Sequence, residues 1–225
     1  MTTGVANARS SRARRVRSRA GEQLPPGRHG LSREQVARSQ RGRILRAIAE
    51  AVSEHGYVMT PVAEVLRRAG VSRETFYEHF SNKQECFLAA YDASASTLLG
   101  AMTGAVRSGS EADSVAEKLE RMLARYLEVM ASEPAMARTF LVEVYAAGPA
   151  ALAHRVEVQT RFTDVFAKIV GARGGHERFA CEALVAATSA LVTQRVCAGR
   201  CAELEELHGP LVRFAREALR PFSPP

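Results

Sequence analysis

Apolar residues recur at helical spacing along most of the chain beyond about residue 31. In one well-defined segment they fall at i, i+1, i+4 and i+8, with polar residues on the opposite face, at Ile44, Leu45, Ile48 and Val52. This spacing is typical of an amphipathic helix. The pattern stops near Gly56, where glycine suits the left-handed position at a helix C-terminus. Alternating patterns bounded by turn residues are scarce, so the sequence predicts an all-α fold.

Glycine and proline divide the later part of the chain into helices. Pro134 and Pro149 each stand where a first helical turn tolerates a missing N–H. No repeat of fixed period is present, which argues against a solenoid. The predicted helical stretches are Lys83–Ala101, Asp113–Ala131, Pro134–Ala147, Pro149–Val170, Glu177–Ala198 and Leu204–Leu219.

Two short helices joined by a tight turn are predicted between residues 60 and 80. Thr60 can cap a helix whose first position is Pro61 and which stops at Gly70. Ser72 can then cap a second helix over Arg73–Phe80. This arrangement predicts a helix-turn-helix motif.

The second of these helices has an apolar face and a polar face. Phe76 and Phe80, at i and i+4, are expected to pack on the domain core. The outward face fits the major groove of B-DNA, with Arg73 matching the O6 and N7 acceptors of guanine and the other polar groups donating to phosphates. Two residues have alternatives to a DNA contact. Tyr77 could be a half-buried core aromatic, and His79 could be an ordinary cap at a helix end. The candidate DNA-binding residues are Thr60, Ser72, Arg73, Thr75, Tyr77, His79 and Lys83.

Charge is concentrated at the N-terminal end. Residues 1–50 hold twelve arginines against three glutamates, a balance of +9, whereas the whole chain is +7. A basic end on a near-neutral body favours a polyanionic partner such as nucleic acid. Residues 1–30 lack large apolar side chains and are predicted to be a flexible basic arm. That arm is either a solvated tail or a segment that reaches the minor groove or phosphates of DNA.

Composition excludes several classes of protein. Apolar residues make up 46% of the chain and charged residues 24%, which is close to a globular average and argues against wholesale disorder. We expect no membrane span and no secretion signal, and therefore a cytoplasmic location. The four cysteines lack a CxxC spacing, and Cys197, Cys201 and His208 do not make a structural zinc set. With no nucleophile–base arrangement in the sequence, we predict no enzyme activity, no cofactor and no metal.

The region from about residue 39 to 92 resembles the N-terminal DNA-binding domain of TetR-type transcriptional regulators. The resemblance is carried by RILRAIAEAVSEHGY and by TPVAEVLRRAGVSRETFYEHFSNKQECFLAAY. Pro61 and Leu66 depart from the usual threonine and alanine of the family. The resemblance implies a helix-turn-helix domain over residues 31–85, with its motif at about 61–80, and a ligand-binding and dimerisation domain over residues 86–225. Its landmarks are Gly56-Tyr57, Ala69-Gly70-Val71-Ser72, Thr75-Phe76-Tyr77, His79-Phe80 and Lys83.

The last two long predicted helices support the implied dimer. They are rich in Ala, Leu and Val. Their apolar stripes are wide enough for one side to pack on the core of the subunit and another on a partner, as at Leu184, Ala187, Leu191 and Val192. Two helices from each subunit would form a homodimer around a twofold axis.

The middle helices carry methionines and aromatics that are either an ordinary core or the lining of an apolar pocket. Polar anchors for such a pocket are expected from Arg125, Gln159 and Arg161. We predict a small hydrophobic effector. The candidate ligand-binding residues are Met122, Tyr126, Met130, Phe140, Tyr145, Phe162 and Phe166.

These features predict a sequence-specific DNA-binding regulator. A twofold dimer places its recognition helices about 34–36 Å apart, so the double-stranded operator is expected to be a pseudo-palindrome. We expect a repressor that an effector releases from DNA, with the helix starting at Lys83 as the lever between the domains. The alternatives are a ligand-independent activator or architectural factor, and an enzyme whose site escapes motif inspection.

Overall fold

The computed structural model describes residues 32–219, and within this range every regular element is a helix. The all-α prediction is therefore confirmed. The predicted basic arm, residues 1–30, lies outside the described residues. No helix among those described is long and apolar enough to cross a membrane. The α-helices are α1 (Arg33–His55), α2 (Val62–Ala69), α3 (Arg73–His79), α4 (Lys83–Arg107), α5 (Val115–Ser132), α6 (Pro134–Leu141), α7 (Pro149–Val170), α8 (Gly175–Cys197) and α9 (His208–Ala218), and the 3₁₀ helices are η1 (Glu143–Ala147) and η2 (Cys201–Leu207).

Helix α1 begins and ends as its sequence dictates. The Ser32 hydroxyl accepts a hydrogen bond from the Gln35 N–H, and the Gln35 side chain accepts one from the Ser32 N–H, so both ends of a capping box are present. The helix stops at Gly56, whose φ of 79° is unfavourable for other residues. Its buried face consists of Ile44, Ala47, Ile48, Ala51 and Val52.

The N-terminal core is shared with the rest of the chain. It contains the inward faces of α1, α2 and α3 and the first turns of α4, with Phe76, Phe80 and Phe87 almost fully buried. The same cluster includes Phe140 of α6 and Val144 of η1. Helices α1 to α3 therefore share one hydrophobic core with parts of α4, α6 and η1.

A second core lies among α4, α5, α7, α8 and α9, and α4 belongs to both cores. Its N-terminal half contributes Phe87 and Ala95 to the first cluster, and its C-terminal half contributes Leu98 and Met102 to the second. The helix extends to Arg107, beyond the predicted end at Ala101. Helix α4 therefore connects the two cores.

Two predicted helices are broken in the structure. The stretch Pro134–Ala147 divides at Val142, whose φ and ψ of −114° and −57° end α6, and continues as η1. The stretch Leu204–Leu219 is η2 followed by α9, because Pro210 cannot donate an intrahelical hydrogen bond and is tolerated only in the first turn of a helix starting at His208.

Candidate nucleic-acid interface and ligand cavity

The turn between α2 and α3 has the geometry of a helix-turn-helix. Gly70 closes α2 in the left-handed conformation, with φ and ψ of 60° and 45°. The Ser72 hydroxyl accepts a hydrogen bond from the Thr75 N–H at 3.0 Å, which confirms Ser72 as the cap of α3. From α1, the Arg43 guanidinium donates to the carbonyl oxygen of Ala69 at 2.9 Å. The turn is thus fixed from both sides.

Helix α3 presents the predicted faces. Phe76 is fully buried and Phe80 is 2% exposed, whereas Arg73 is exposed and the Tyr77 side chain is 47% exposed. The Phe76 ring meets the Tyr77 ring edge-on, with centroids 5.4 Å apart. The inward and outward assignment of these side chains is confirmed, and it leaves the N-terminal end of α3 open to a partner.

Thr75 and His79 lie between these two faces. Both are partly buried, and the His79 Nε2 atom is inaccessible and without a hydrogen bond in the described part of the chain. Of the two, Thr75 stands beside the α3 cap, where its hydroxyl lies 3.0 Å from that of Ser72. Their contacts with phosphates stay predictions.

Thr60 does not cap α2, contrary to the prediction. Pro61 occupies the cap position, and the Thr60 hydroxyl donates instead to the carbonyl oxygens of Gly56 at 2.7 Å and Ala51 at 3.2 Å. The residue is fully buried, and its hydroxyl is satisfied by these carbonyls at the end of α1. Its side chain shapes the α1–α2 loop and is not available to DNA in this structure.

Lys83 is also turned toward the α1–α2 loop. Its Nζ donates to the carbonyl oxygens of Tyr57 at 2.8 Å and Thr60 at 3.0 Å, and lies 4.3 Å from the centre of the Tyr57 ring. Burial lowers the pKa of Lys83. The N-terminus of α4 is capped by Asn82, whose Oδ1 accepts from the Glu85 N–H. A phosphate contact by the Lys83 side chain would replace these carbonyl contacts and stays a prediction.

Basic residues on the exposed side of α1 were not assigned individually from the sequence. Arg41 places its guanidinium 5.1 Å from the centre of the Phe80 ring, which sets this part of α1 beside the end of α3. The signal that could have found these residues is the spacing of arginines along a helix that follows a basic segment. The exposed arginines of α1 are Arg33, Arg38, Arg41 and Arg46.

A cluster of charges joins α1 to α2 at the back of the motif. Arg68 pairs with Glu54 of α1 at 2.5 Å and with Glu64 at 2.6 Å, and Arg67 also pairs with Glu64 at 2.6 Å. Hydrogen bonds from Arg67 and Arg68 lower the pKa of Glu64 to about 2. Glu64 thus forms ion pairs with both arginines within α2.

A cavity of about 100 Å³ lies among α4, α5, α6, α7 and α8. Its lining is mostly apolar, and its polar groups are the hydroxyls of Tyr91, Ser94 and Tyr126 and the side chains of Arg155, Gln159, Thr188 and Ser189. Six of the seven candidate ligand residues border it: Met122, Tyr126, Met130, Phe140, Phe162 and Phe166.

Tyr145 does not line the cavity, contrary to the prediction. The break at Val142 rotates the chain in η1, so that Glu143 and Val144 are buried and Tyr145 is 54% exposed. Its ring lies 5.3 Å from the guanidinium carbon of Arg155.

Two of the expected polar anchors are likewise elsewhere. Arg125 pairs with Glu128, and Arg161 pairs with Asp92. Neither arginine borders the cavity, whereas Gln159 does. Arg155, which was not among the expected anchors, borders the cavity instead.

Helices α8 and α9 keep apolar side chains on their outer surface. Leu184 and Val192 face the core, whereas Phe179 is 65%, Leu191 36% and Phe214 46% exposed. Ala186 and Ala190 are exposed on α8 as well. Exposed apolar surface of this kind is typical of an interface.

Comparisons with known proteins agree with this geometry. Residues 44–90 match the family model described as bacterial regulatory proteins, tetR family. Over 93 residues the chain is 31% identical to the HTH-type transcriptional activator FasR of Mycolicibacterium smegmatis, a match that covers 41% of this chain and 42% of that protein. The chain thus matches less than half the length of this curated relative.

Solved structures share the fold over most of their length. The transcriptional regulator FadR from Bacillus subtilis, in complex with stearoyl-CoA, superposes with a TM-score of 0.68 at 18% identity, covering 77% of this chain and 96% of that one. A TetR-like transcriptional regulator from Rhodococcus sp. RHA1 superposes with a TM-score of 0.61 at 20% identity, covering 84% of this chain and 98% of that one. These relatives are named as transcriptional regulators, and none of them as an enzyme. Residues 44–90, which hold the helix-turn-helix, are thus similar to the DNA-binding part of the tetR family of bacterial regulatory proteins.

Proposed function

We propose that this protein regulates transcription by binding a double-stranded, pseudo-palindromic operator as a homodimer, and that a small hydrophobic effector in the cavity releases it from DNA. The observation that carries the proposal is the two-faced α3 helix, with Phe76 and Phe80 locked into the core and Arg73 and Tyr77 outside.

The DNA contacts divide into base reading and positioning. Arg73, in the first turn of α3, has the planar fork that matches guanine in the major groove. Tyr77, one turn later, and the Ser72 and Thr75 hydroxyls at the cap suit phosphate oxygens, contacts that fix register without reading sequence. The exposed Arg41 of α1, which lies against Phe80 at the end of α3, adds a basic group to this surface and supports this orientation.

The outer faces of α8 and α9 support a homodimer. An apolar face on the last helices is self-complementary when two copies meet across a twofold axis. Two copies of α3 then enter successive major grooves, provided that they are about 34–36 Å apart.

The cavity is placed to change that spacing. Its walls include α4, which begins beside the motif, and α6, which touches α1 through a hydrogen bond from the Thr139 hydroxyl to the Ala49 carbonyl at 3.0 Å. An effector that fits the cavity better in a conformation with wrongly spaced motifs must weaken DNA binding, because coupling between two sites is reciprocal. The stearoyl-CoA in the solved structure of the Bacillus subtilis regulator supports a long apolar effector for this fold.

Activation of transcription is the second candidate. The Mycolicibacterium smegmatis relative is named as an activator. The DNA-reading surface is the same in both cases, and the difference lies in where the operator stands relative to the promoter.

Selection of bound sequences from random double-stranded DNA, followed by in vitro transcription, tests the proposal. We expect two inverted half-sites one helical turn apart, and transcription lowered by the protein and restored by palmitate or palmitoyl-CoA. Transcription raised by the protein would establish the activator. The absence of any enriched sequence would refute specific DNA binding.

A further inference from the structure

The cavity wall carries a polar group built around Arg155 of α7. The two terminal nitrogens of its guanidinium donate to neutral partners, Gln159 Oε1 at 3.1 Å and Ser189 Oγ at 3.3 Å. These hydrogen bonds join α7 to α8 and fix the guanidinium at the cavity wall.

Arg155 is charged but has no carboxylate partner within ion-pair distance in residues 32–219. Arg161, on the same helix but not at the cavity, differs in this respect. It has a carboxylate counterion, Asp92, at 2.5 Å. A guanidinium is always protonated in proteins, and a partly buried one beside an apolar surface is stabilised by an anion. The nearest π face, the Tyr145 ring at 5.3 Å, supplies only part of that stabilisation.

Hydroxyl groups without partners border the same cavity. Thr188, next to Ser189, is 6% exposed, and its Oγ1 is buried without a hydrogen bond. Tyr91 and Tyr126 are 6% and 8% exposed, and neither hydroxyl is hydrogen-bonded within the described part of the chain. Burial raises the pKa of Tyr91 to about 12 and also raises that of Tyr126, with the positive charge of Arg155 acting in the opposite direction on both. Both phenols therefore stay protonated and able to donate.

We propose that the effector is an amphiphile with a single carboxylate, which is bound at Arg155 with its hydrocarbon chain among Leu98, Met102 and Met122. The carboxylate supplies the anion that Arg155 lacks, and its oxygens accept from hydroxyls that otherwise have no partner. This inference rests on the proposed function only in taking the cavity as the effector site.

Direct binding of three probes with the same chain tests the carboxylate: palmitate, hexadecanol and palmitoyl-CoA, which has a neutral thioester at that position. The chain has no tryptophan, so displacement of a fluorescent apolar dye gives a clean signal. No DNA is present, so failure here is separate from failure of the regulatory proposal. We expect palmitate to bind the full chain about tenfold more tightly than hexadecanol, as a charge-assisted hydrogen bond at a partly open site implies.

The variants Arg155→Gln and Arg155→Lys, with Arg161→Gln as the matched control, assign the effect to one residue. Arg155→Gln is expected to abolish the preference for palmitate and to leave hexadecanol binding within about twofold, and Arg155→Lys to retain part of it. Arg161→Gln is expected to change neither affinity, and the thermal midpoint of each variant reports its folding.

Three outcomes would overturn the proposal: equal binding of acid and alcohol by the wild type, no palmitate binding, or a preference for palmitate that survives Arg155→Gln. Tighter binding of palmitoyl-CoA than of palmitate, with the same loss in Arg155→Gln, would overturn the carboxylate assignment.

Discussion

The carboxylate of Glu143 accepts a hydrogen bond from the backbone N–H of Tyr57 at 2.9 Å. Glu143 is 8% exposed and belongs to η1, which follows the cavity-lining helix α6, whereas Tyr57 belongs to the loop that precedes the helix-turn-helix. A β-carbon at Gly56 would lie 3.2 Å from Glu143 Oε2, so this close approach, like the positive φ, favours glycine there. The contact links η1, behind the cavity, to the loop that precedes the helix-turn-helix.

Replacing Glu143 is expected to loosen this link. Glu143→Ala leaves the Tyr57 N–H without its acceptor, which we expect to lower the free energy of unfolding by about 1–3 kcal/mol. If the contact also transmits the effector signal, the ratio of operator affinities without and with palmitate will fall toward one. Urea unfolding and gel shifts measure the two effects.

Glu128→Ala is the matched control for this substitution. Glu128 forms a surface pair with Arg125, and its loss is expected to change stability by less than about 0.5 kcal/mol. A Glu143→Ala protein as stable as this control would show that the contact with Tyr57 contributes nothing.

Arg73 and Tyr77 are expected to differ in how their loss affects DNA binding. Arg73→Ala is predicted to relax sequence preference at one operator position, worth about 1–3 kcal/mol, because it removes a base contact. Tyr77→Phe is predicted to weaken binding about equally on all sequences, because it removes a phosphate contact. Affinities for the operator and its single-base variants at fixed salt distinguish the two patterns.

Arg107→Ala, at the far end of α4, is the control for the charge change in Arg73→Ala and is expected to bind like wild type. An equal loss on every sequence for Arg73→Ala would mean that Arg73 is a phosphate contact instead.

The faces of α3 could be predicted from the sequence because they depend only on local periodicity. The i, i+4 spacing of Phe76 and Phe80 determines which side packs, and the Ser72 cap determines where the helix starts. The positions of Thr60 and Lys83 could not be predicted in this way. Their polar atoms bind carbonyl groups that the α1–α2 loop brings together, and those partners are visible only after the chain has folded.

The cavity shows the same division between local and tertiary information. The methionines and aromatics of the middle helices identified six of its lining residues, since such side chains suit a cavity wall as well as a core. The prediction that Tyr145 lines the cavity was wrong, because the helix breaks at Val142. That break accompanies the burial of Glu143 against Tyr57, a contact between residues 86 positions apart that local sequence does not reveal. Arg155 was missed because its partners, Gln159 and Ser189, are neutral and one of them lies on another helix.

A charged residue at Leu191 is expected to prevent dimerisation without unfolding the subunit. Leu191 is 36% exposed on the outer face of α8, so Leu191→Glu keeps its carboxylate in water in the monomer but buries it in the proposed dimer. Sedimentation of the variant is expected to give a monomer. Met59→Glu makes the same kind of change at a position 73% exposed in the α1–α2 loop and is expected to leave the mass unchanged. A dimeric Leu191→Glu protein would place the interface elsewhere.

The Glu64 cluster is expected to make the helix-turn-helix domain sensitive to acid. Hydrogen bonds from Arg67 and Arg68 lower the pKa of Glu64 from its ordinary value of 4.5 to about 2. The folded protein therefore binds this proton less readily than the unfolded chain, and the stabilisation is complete above about pH 4.5 and lost as the pH falls toward 2.

Glu64→Gln removes this contribution at every pH. The difference in thermal midpoint between wild type and Glu64→Gln should therefore be largest near pH 6 and shrink steadily down to pH 3. Glu111→Gln, at an exposed position with no ion pair within the described range, corrects for the loss of one titrating carboxylate. A wild-type advantage that stays constant between pH 6 and pH 3 would show that the two arginines stabilise the Glu64 side chain without favouring its charge.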